Sequence, residues 1–286
     1  MAEQSGFLAV DIGGTKLATA IVSLSGAVIA RSQAPTPKTD VWATLSSLIA
    51  EQMSSASIAV SSVGVGCGGP MEWAGESVSP LNIHDWRNFP LRHRLAEITQ
   101  LPVFIANDAQ AIVLGEAWCG AAQGASDVLG MVVSTGVGGG ILSRGQLVVG
   151  RLGNAGHIGH INVQPGGRLC ACGARGCLEA YASGPSIASI TGAPAESAST
   201  ETVLATGRYV GLAIASAAAL LDFDLVVIGG SVALGFGEPF FAAVRQELEQ
   251  SAQLDFIRGV QVKPVGLGVD SPLVGAAAVA RMATIV

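Results

Sequence analysis

The chain has 286 residues, 50% of them apolar and only 13% charged, and its Lys+Arg 15 against Asp+Glu 21 leave a net charge of −6. High hydrophobicity with low charge excludes a disordered chain, and the acidic balance with 5% aromatics suits neither phosphate neutralisation nor base stacking, so no nucleic-acid partner is expected. The 38 glycines follow no Gly-X-Y period, which excludes collagen and sends them to turns and backbone-to-ligand contacts. The length fits one large or two ordinary domains. No positively charged region precedes an apolar stretch in MAEQSGFLAVDIGG, so no signal peptide is expected. The apolar stretch 209–221 ends at Asp222, short of the roughly 20 residues of a membrane span, and reads as a buried helix with no membrane partner.

In chain order, an apolar run at 7–10 leads into Asp11-Ile-Gly-Gly-Thr-Lys16, a second run at 17–22, a Ser25-Gly26 turn and a third run at 27–30. Short apolar runs punctuated by glycine predict antiparallel hairpins. A helix is expected at 41–53, a buried strand at 58–65, a short amphipathic helix at 91–98, a strand at 101–106 and a helix at 109–118. Residues 129–150 repeat the opening plan of strand, Gly-rich turn, strand, turn and strand, which reads as an internal duplication. A Cys/Gly-rich segment fills 160–177. Helices near 178–191 and 203–221, a strand at 225–228, a helix near 238–252, a strand at 260–264 and a helix at 273–283 complete the pattern. Strands alternating with helices argue an α/β fold. No low-complexity linker divides the chain, so two halves packed around a cleft are expected.

Three Gly-rich turns stand out: Asp11-x-Gly13-Gly14-Thr15-Lys16, Thr135-Gly136-Val137-Gly138-Gly139-Gly140, and Gly229-Gly230-Ser231 at a strand end. Turns without a Cβ let backbone N–H groups approach an anion. The first is neither a Walker A loop nor a dinucleotide fingerprint, since a strand follows it. Each alone could be a plain turn; together they point to nucleotide phosphates. Asn107-Asp108 closes a strand just before a helix, where it serves either as a helix cap or as a proton acceptor. His160, Cys170, Cys172 and Cys177, spaced H-x₉-C-x-C-x₄-C, supply the four ligands of a closed structural zinc site, against the alternative of buried free thiols. Clustered cysteines of this kind point to the cytoplasm, whereas Cys67 and Cys119 are isolated and read as core. A closed four-ligand site leaves no open position for a water nucleophile, which disfavours a zinc hydrolase.

The segments 11–16, 107–108, 134–140 and 156–179, in this order and spacing over nearly the whole chain, resemble the ROK family of sugar kinases and related repressors. The resemblance implies the duplicated ribonuclease-H-like fold of the actin/hexokinase type, with a small lobe at 1–106 plus 272–286 and a large lobe at 107–271. It implies transfer of the ATP γ-phosphate to O6 of a hexose or N-acylhexosamine. Asp108 would be the base, with Gly69, Asn82, Asn107, His157, His160 and Glu179 against the sugar. Asp11, Gly13, Gly14, Thr15, Lys16, Thr135, Gly136, Gly138, Gly229 and Gly230 would serve ATP, and Asp11 would organise Mg²⁺ through its water shell. Lys16 has the alternative of an ordinary exposed strand lysine. A homodimer is expected.

The chain also departs from the family. Its glucokinases usually read Gly-Glu-Ile-Gly-His where this chain has Gly156-His157-Ile-Gly-His160, and His there resembles the bacterial N-acetylmannosamine kinases. The loop Ser79-Pro80-Leu81-Asn82-Ile83-His84-Asp85-Trp86 is more like a glucokinase, and Gly68-Gly69-Pro70 lacks the usual Pro-Gly order. Either sugar stays open on these residues. A ROK-type repressor would need a DNA-binding domain, for which six residues before Phe7 are too few. A non-catalytic sugar-binding protein is disfavoured by Asp108 and the Gly-rich turns.

Overall fold

The computed structural model describes residues 5–72 and 75–285. Met1–Gln4, which open the segment read as lacking a signal peptide, lie outside the described residues, as do Trp73, Ala74 and Val286. The chain divides into two compact units, one of residues 1–123, 149–155 and 267–286, the other of 124–148 and 156–266. The first unit's opening segment thus runs to residue 123, whereas the resemblance implies a break before Asn107.

The first unit holds β1 (Ser5–Ile12), β2 (Lys16–Ser23), β3 (Val28–Pro35), α1 (Val41–Ser54), β4 (Ala59–Cys67), α2 (Leu91–Thr99), β5 (Val103–Asn107), α3 (Asp108–Cys119) and, from far along the chain, α9 (Ser271–Ile285). Its sheet runs β3-β2-β1-β4-β5, antiparallel through the opening hairpins and parallel from β1 to β4 and β5. The second unit holds β6 (Val128–Val133), β7 (Val137–Ser143), β8 (Gln146–Leu147), α4 (Glu179–Ala182), α5 (Gly184–Thr191), α6 (Thr200–Leu221), β9 (Leu225–Gly229), α7 (Ser231–Phe236), α8 (Glu238–Ser251) and β10 (Gln261–Pro264). Its sheet runs β10-β9-β6-β7-β8 with the same senses of pairing. Two sheets of one strand order are the expected duplication.

Alternation along the strands decides what covers each face of the first sheet. Leu8, Val10 and Ile12 join Val63 and Val65 in a large-residue core with Leu45 and Ile49 of α1. Phe7, Ala9, Ala18 and Ala20 point the other way, onto Ala276, Ala277 and Ala280 of α9. Apart from Phe7 at its edge, this second face is built largely of alanine and glycine, so backbones meet there. A Cβ on Gly64 of β4 would overlap the Ala276 carbonyl, and one on Gly275 would lie 2.6 Å from the Ala111 carbonyl of α3. The glycine excess is therefore only partly in turns.

In the second unit, Met131, Val133, Val226 and Ile228 of the sheet bury against Ala213 and Ile214 of α6 and Phe240 and Val244 of α8. Gly207 and Gly211 bring α6 close to α8, since a Cβ on either would lie 2.8 Å from a carbonyl of that helix. The helix α6 starts at Thr200, capped by Ser199, and is longer than the sequence predicts. Its 22 residues have the length and hydropathy of a membrane span, yet over half of the apolar window is buried inside the protein, as in a core helix.

Candidate active site

The first Gly-rich turn joins β1 to β2. Gly13 N–H donates to the Lys16 carbonyl at 2.9 Å, and Thr36, just after β3, donates its hydroxyl to the Gly13 carbonyl at 2.7 Å. Gly14, Thr15 and Lys16 are exposed. Asn82 packs on Gly14, where a Cβ would overlap the Asn82 side chain.

Asp11 precedes this turn and is half-buried at the end of β1. Next to β1, strand β4 reads Val63-Gly64-Val65-Gly66, with valines toward the large-residue core and glycines toward α9 and α3. A Cβ on Gly66 would sit 3.4 Å from the Ala111 Cβ, 3.7 Å from the Asp108 Cα and 4.0 Å from the Asp11 Oδ1. The bare Gly66 therefore lets the first turn of α3 settle onto the sheet and brings Asp108 beside Asp11. Burial first, and the Asp108 charge second, push the Asp11 carboxyl up to about 7, while Lys16 pulls it down. The adjoining Cys67 is buried under both carboxylates and its thiol is pushed well up.

The sign of the Asp11 shift fixes a pH dependence. Its folded pKa lies above the ordinary 3.8, so its stabilisation is complete below about pH 3.8 and is lost as pH rises through about 7. In metal-free protein, Asp11→Asn should flatten the fall of stability between those values, read as melting temperature against pH. Parallel wild-type and variant curves would refute the assignment.

Asn107 is the N-cap of α3, with its Oδ1 accepting from Ala109 N–H at 3.1 Å, while Gln110 Oε1 accepts from Asn107 N–H at 3.2 Å. The capping alternative thus holds for Asn107. Asp108 occupies the first helical position, and its Oδ1 accepts from Ala109 N–H at 2.8 Å. Gly69, in a cis Gly69-Pro70 peptide, lies beside them: its missing Cβ would be 3.5 Å from Asn107 Nδ2. The first unit thus gathers Asp11, Gly69, Asn107 and Asp108, while Asn82 sits on the Gly13-Gly14 turn.

The second unit gathers the other two Gly-rich turns. The Ser134 and Ser231 hydroxyls are 2.9 Å apart, which joins the turn after β6 to the turn after β9. Gly230 has φ 99° and lies so close to Val133 that a Cβ would overlap its carbonyl, so only glycine fits there. Thr135 is exposed above Gly136, and Gly138 is half-buried in β7. Glu179 Oε2 accepts from Val137 N–H at 2.9 Å, so one oxygen of this side chain holds the Gly-rich turn. His157 is exposed, and its ring faces His160 with centroids 6.0 Å apart.

The ligand atoms of His160, Cys170, Cys172 and Cys177 all lie within 4.8 Å of one another. His160 Nδ1 is 3.8 Å from Cys170 Sγ, and Cys172 Sγ is 3.7 Å from Cys177 Sγ. A tetrahedral zinc with bonds of about 2.0–2.3 Å needs neighbouring ligand atoms about 3.6–3.8 Å apart, so these residues fit the ion. Burial pushes the Cys177 thiol up to about 12, while the Ala174 N–H draws the exposed Cys172 thiol down. The loop is fixed from below by the Tyr181 hydroxyl, which accepts from Arg168 N–H at 2.8 Å, with Tyr181 stacked on Tyr209. A groove of about 810 Å³ between α8 and β10, lined by Arg245, Arg258 and Lys263, contains none of these residues.

The ROK family profile matches residues 7–283, almost the whole chain. The chain belongs to the ROK family. This ROK chain is 36% identical to an N-acetylmannosamine kinase of Yersinia pestis over 96% of its own length and 98% of that protein. It is 33% identical to a glucokinase of Halalkalibacterium halodurans, over 94% of its length and 93% of that protein. Among solved structures it is similar to a ROK family glucokinase from Streptomyces griseus in complex with glucose and AMPPNP, at 31% identity, TM-score 0.83, covering 97% of this chain and 99% of that one. The α/β duplication is thus the actin/hexokinase-type fold of the ROK sugar kinases.

Sequence reasoning passed over Gly66, Thr36 and Gln110. Gln110 carried a signal, because Asn followed three residues later by Gln at a helix start is a capping-box pattern. Gly66 carried one too, in the Val-Gly-Val-Gly alternation. Thr36 carried none, since its contact with Gly13 depends on the β2–β3 hairpin bringing it back.

Proposed function

We propose that the chain is an ATP-dependent sugar kinase that transfers the γ-phosphate to O6 of glucose or N-acetylmannosamine in the cytoplasm, as a homodimer. The observation that carries this reading is Asp108, held at the β5–α3 junction beside Asp11 in a chain matching sugar kinases over nearly its full length. In this reading Asp108 accepts the O6 proton as the sugar oxygen bonds to the γ-phosphorus and the bond to ADP breaks, so the proton ends on the carboxylate. Asn107, Gly69, Asn82, His157, His160 and Glu179 orient the sugar. The Gly-rich turns that carry Gly13, Gly14, Thr15, Thr135, Gly136, Gly138, Gly229 and Gly230, with Lys16, receive the nucleotide. Mg²⁺, when bound, neutralises phosphate charge, and Asp11 suits its water shell because a cation there offsets the cost of ionising that carboxyl. Coupled ADP release across hexoses and N-acylhexosamines tests the reading. A panel with no sugar-dependent release would reject it.

Zinc belongs to the same proposal as a structural ion on His160, Cys170, Cys172 and Cys177. Metal analysis should give one zinc per chain. Cys172→Ser should lose the ion, lower the melting temperature and weaken sugar binding. A metal-free protein with wild-type activity would contradict this role.

His157 is the residue to test for the choice of sugar. A neutral imidazole donates one hydrogen bond and accepts one, whereas a carboxylate accepts from two hydroxyls. His157→Glu should raise kcat/KM for glucose relative to N-acetylmannosamine by about tenfold or more. An unchanged ratio would take position 157 out of sugar selection.

A further inference from the structure

Residues 149–155 form a short strap within the first unit, entered from β8 and left at Gly156. Its ends are drawn together, since Ala155 N–H donates to the Val149 carbonyl at 3.1 Å. Gly150 at φ 74° and Gly153 at φ 85° give it left-handed turns that a side chain would disfavour. Two side-chain amides hold it down. Gln110 is 2% exposed, and its Nε2 donates to the Ala155 carbonyl at 2.9 Å and the Gly153 carbonyl at 3.4 Å. The same side chain takes the Asn107 N–H, so one amide joins the strap to the turn bearing Asn107 and Asp108.

Asn154 is the second anchor. Its Oδ1 accepts from Met71 N–H at 3.3 Å and its Nδ2 donates to the Met71 carbonyl at 3.1 Å, a two-point grip on one residue. Met71 directly follows Gly69-Pro70, and Asn154 Oδ1 would lie 3.7 Å from a Cβ on Gly69. Two separate amides thus fix one seven-residue strap against the two segments proposed for the sugar, and the chain reaches His157 two residues beyond Ala155.

We propose that Gln110 and Asn154 are positioning residues for the sugar, acting together through the 149–155 strap. The inference rests on the sugar-kinase reading above. The strap has no regular secondary structure of its own, so its course depends on these amides. Displacements of about 1 Å in such a support can cost up to a hundredfold in rate or affinity. The effect should fall on the sugar and not on the nucleotide, because the anchors meet Asn107, Met71 and the approach to His157, and none of the Gly-rich turns.

The experiment compares Gln110→Met, Asn154→Ala and the double variant with wild type, reading sugar KM, ATP KM, kcat, melting temperature and amide exchange over 149–157. Sugar Kd is measured in parallel by calorimetry. Each single variant should raise sugar KM and Kd about tenfold, leave ATP KM within about twofold, and speed exchange in the strap. No hydrogen bond joins the two side chains, so independent effects would multiply to about a hundredfold in the double variant. Action through one strap predicts a double variant no worse than about threefold beyond the weaker-binding single. Asn154→Asp, which keeps the acceptor for Met71 N–H and loses both donors, should fall between wild type and Asn154→Ala. Sugar constants within twofold of wild type, multiplicative losses, or equal losses for sugar and ATP would overturn the proposal. A wild type that binds sugar without phosphorylating it would reject the kinase reading alone, since Kd and exchange still decide the role of the strap.

Discussion

Asp108→Asn should lower kcat by about 10²–10⁴ while sugar and ATP still bind. The change keeps the shape of the side chain and its oxygen for the Ala109 N–H, the contact that Asp108 makes at 2.8 Å. It removes the ability to accept and hold a proton. The first turn of α3 should stay in place, because Asn107 and Gln110 provide the capping contacts. The substitution also removes the Asp108 charge that helps raise Asp11, so the Asp11 carboxyl should titrate lower in the variant. Loss of turnover with unchanged ligand affinity, measured by calorimetry, would identify the proton acceptor. A variant retaining more than a tenth of wild-type kcat would make Asp108 a helix-start residue and place the base elsewhere.

Glu116→Ala should cost about 3–5 kcal/mol of stability, enough to leave many domains unfolded. Glu116 is 0% exposed, and its oxygens accept from Ala121 N–H at 2.7 Å, Leu267 N–H at 3.1 Å and the Ser271 hydroxyl at 2.9 Å. Alanine would leave the buried Ser271 hydroxyl and the part-buried N–H groups of Ala121 and Leu267 without this acceptor, at about 1–3 kcal/mol for a fully buried donor. The residues concerned lie at the end of α3, just ahead of α9 and at its first turn, so the loss would loosen the seam where these helices meet. Denaturant unfolding measures the cost. A loss below about 1 kcal/mol would show that water replaces the carboxylate there.

Much of this was written in local pattern. The two hairpin repeats announced the duplicated sheets, because alternation and glycine turns are local signals. The four soft ligands announced their own cluster, because most of their spacing lies within one loop. The Asn107-Asp108 pair was legible as a strand end entering a helix. Other features depend on partners remote in sequence. Nothing around Gly64 or Gly115 says that α9 will press on them, since Ala276 and Gly275 are far along the chain. The clip of Asn154 on Met71 likewise needs the tertiary fold, as an asparagine in a Gly-rich loop reads first as a turn residue. Helix α6 was read as starting at 203, three residues late, because Thr200–Thr202 are polar and lie ahead of its first apolar residue, Val203. Glu179 was read only against the sugar, and its bond to Val137 N–H arises from a helix turn folding back on β7.

The small-residue face that α9 covers has a bearing on synthesis. The second unit is nearly continuous in sequence and can fold as soon as its own residues have left the ribosome. The first unit begins earlier in the chain but cannot finish earlier. Its Ala9, Ala18 and Ala20 surface waits for Leu273, Ala276, Ala277 and Ala280, which are translated after the whole of the second unit. During that interval β1, β2 and β4 present one uncovered face, and any chaperone that attends the nascent chain should meet it there. A chain stopped before Ser271 would keep that face open permanently, and with it the seat of the helix that carries Asp108.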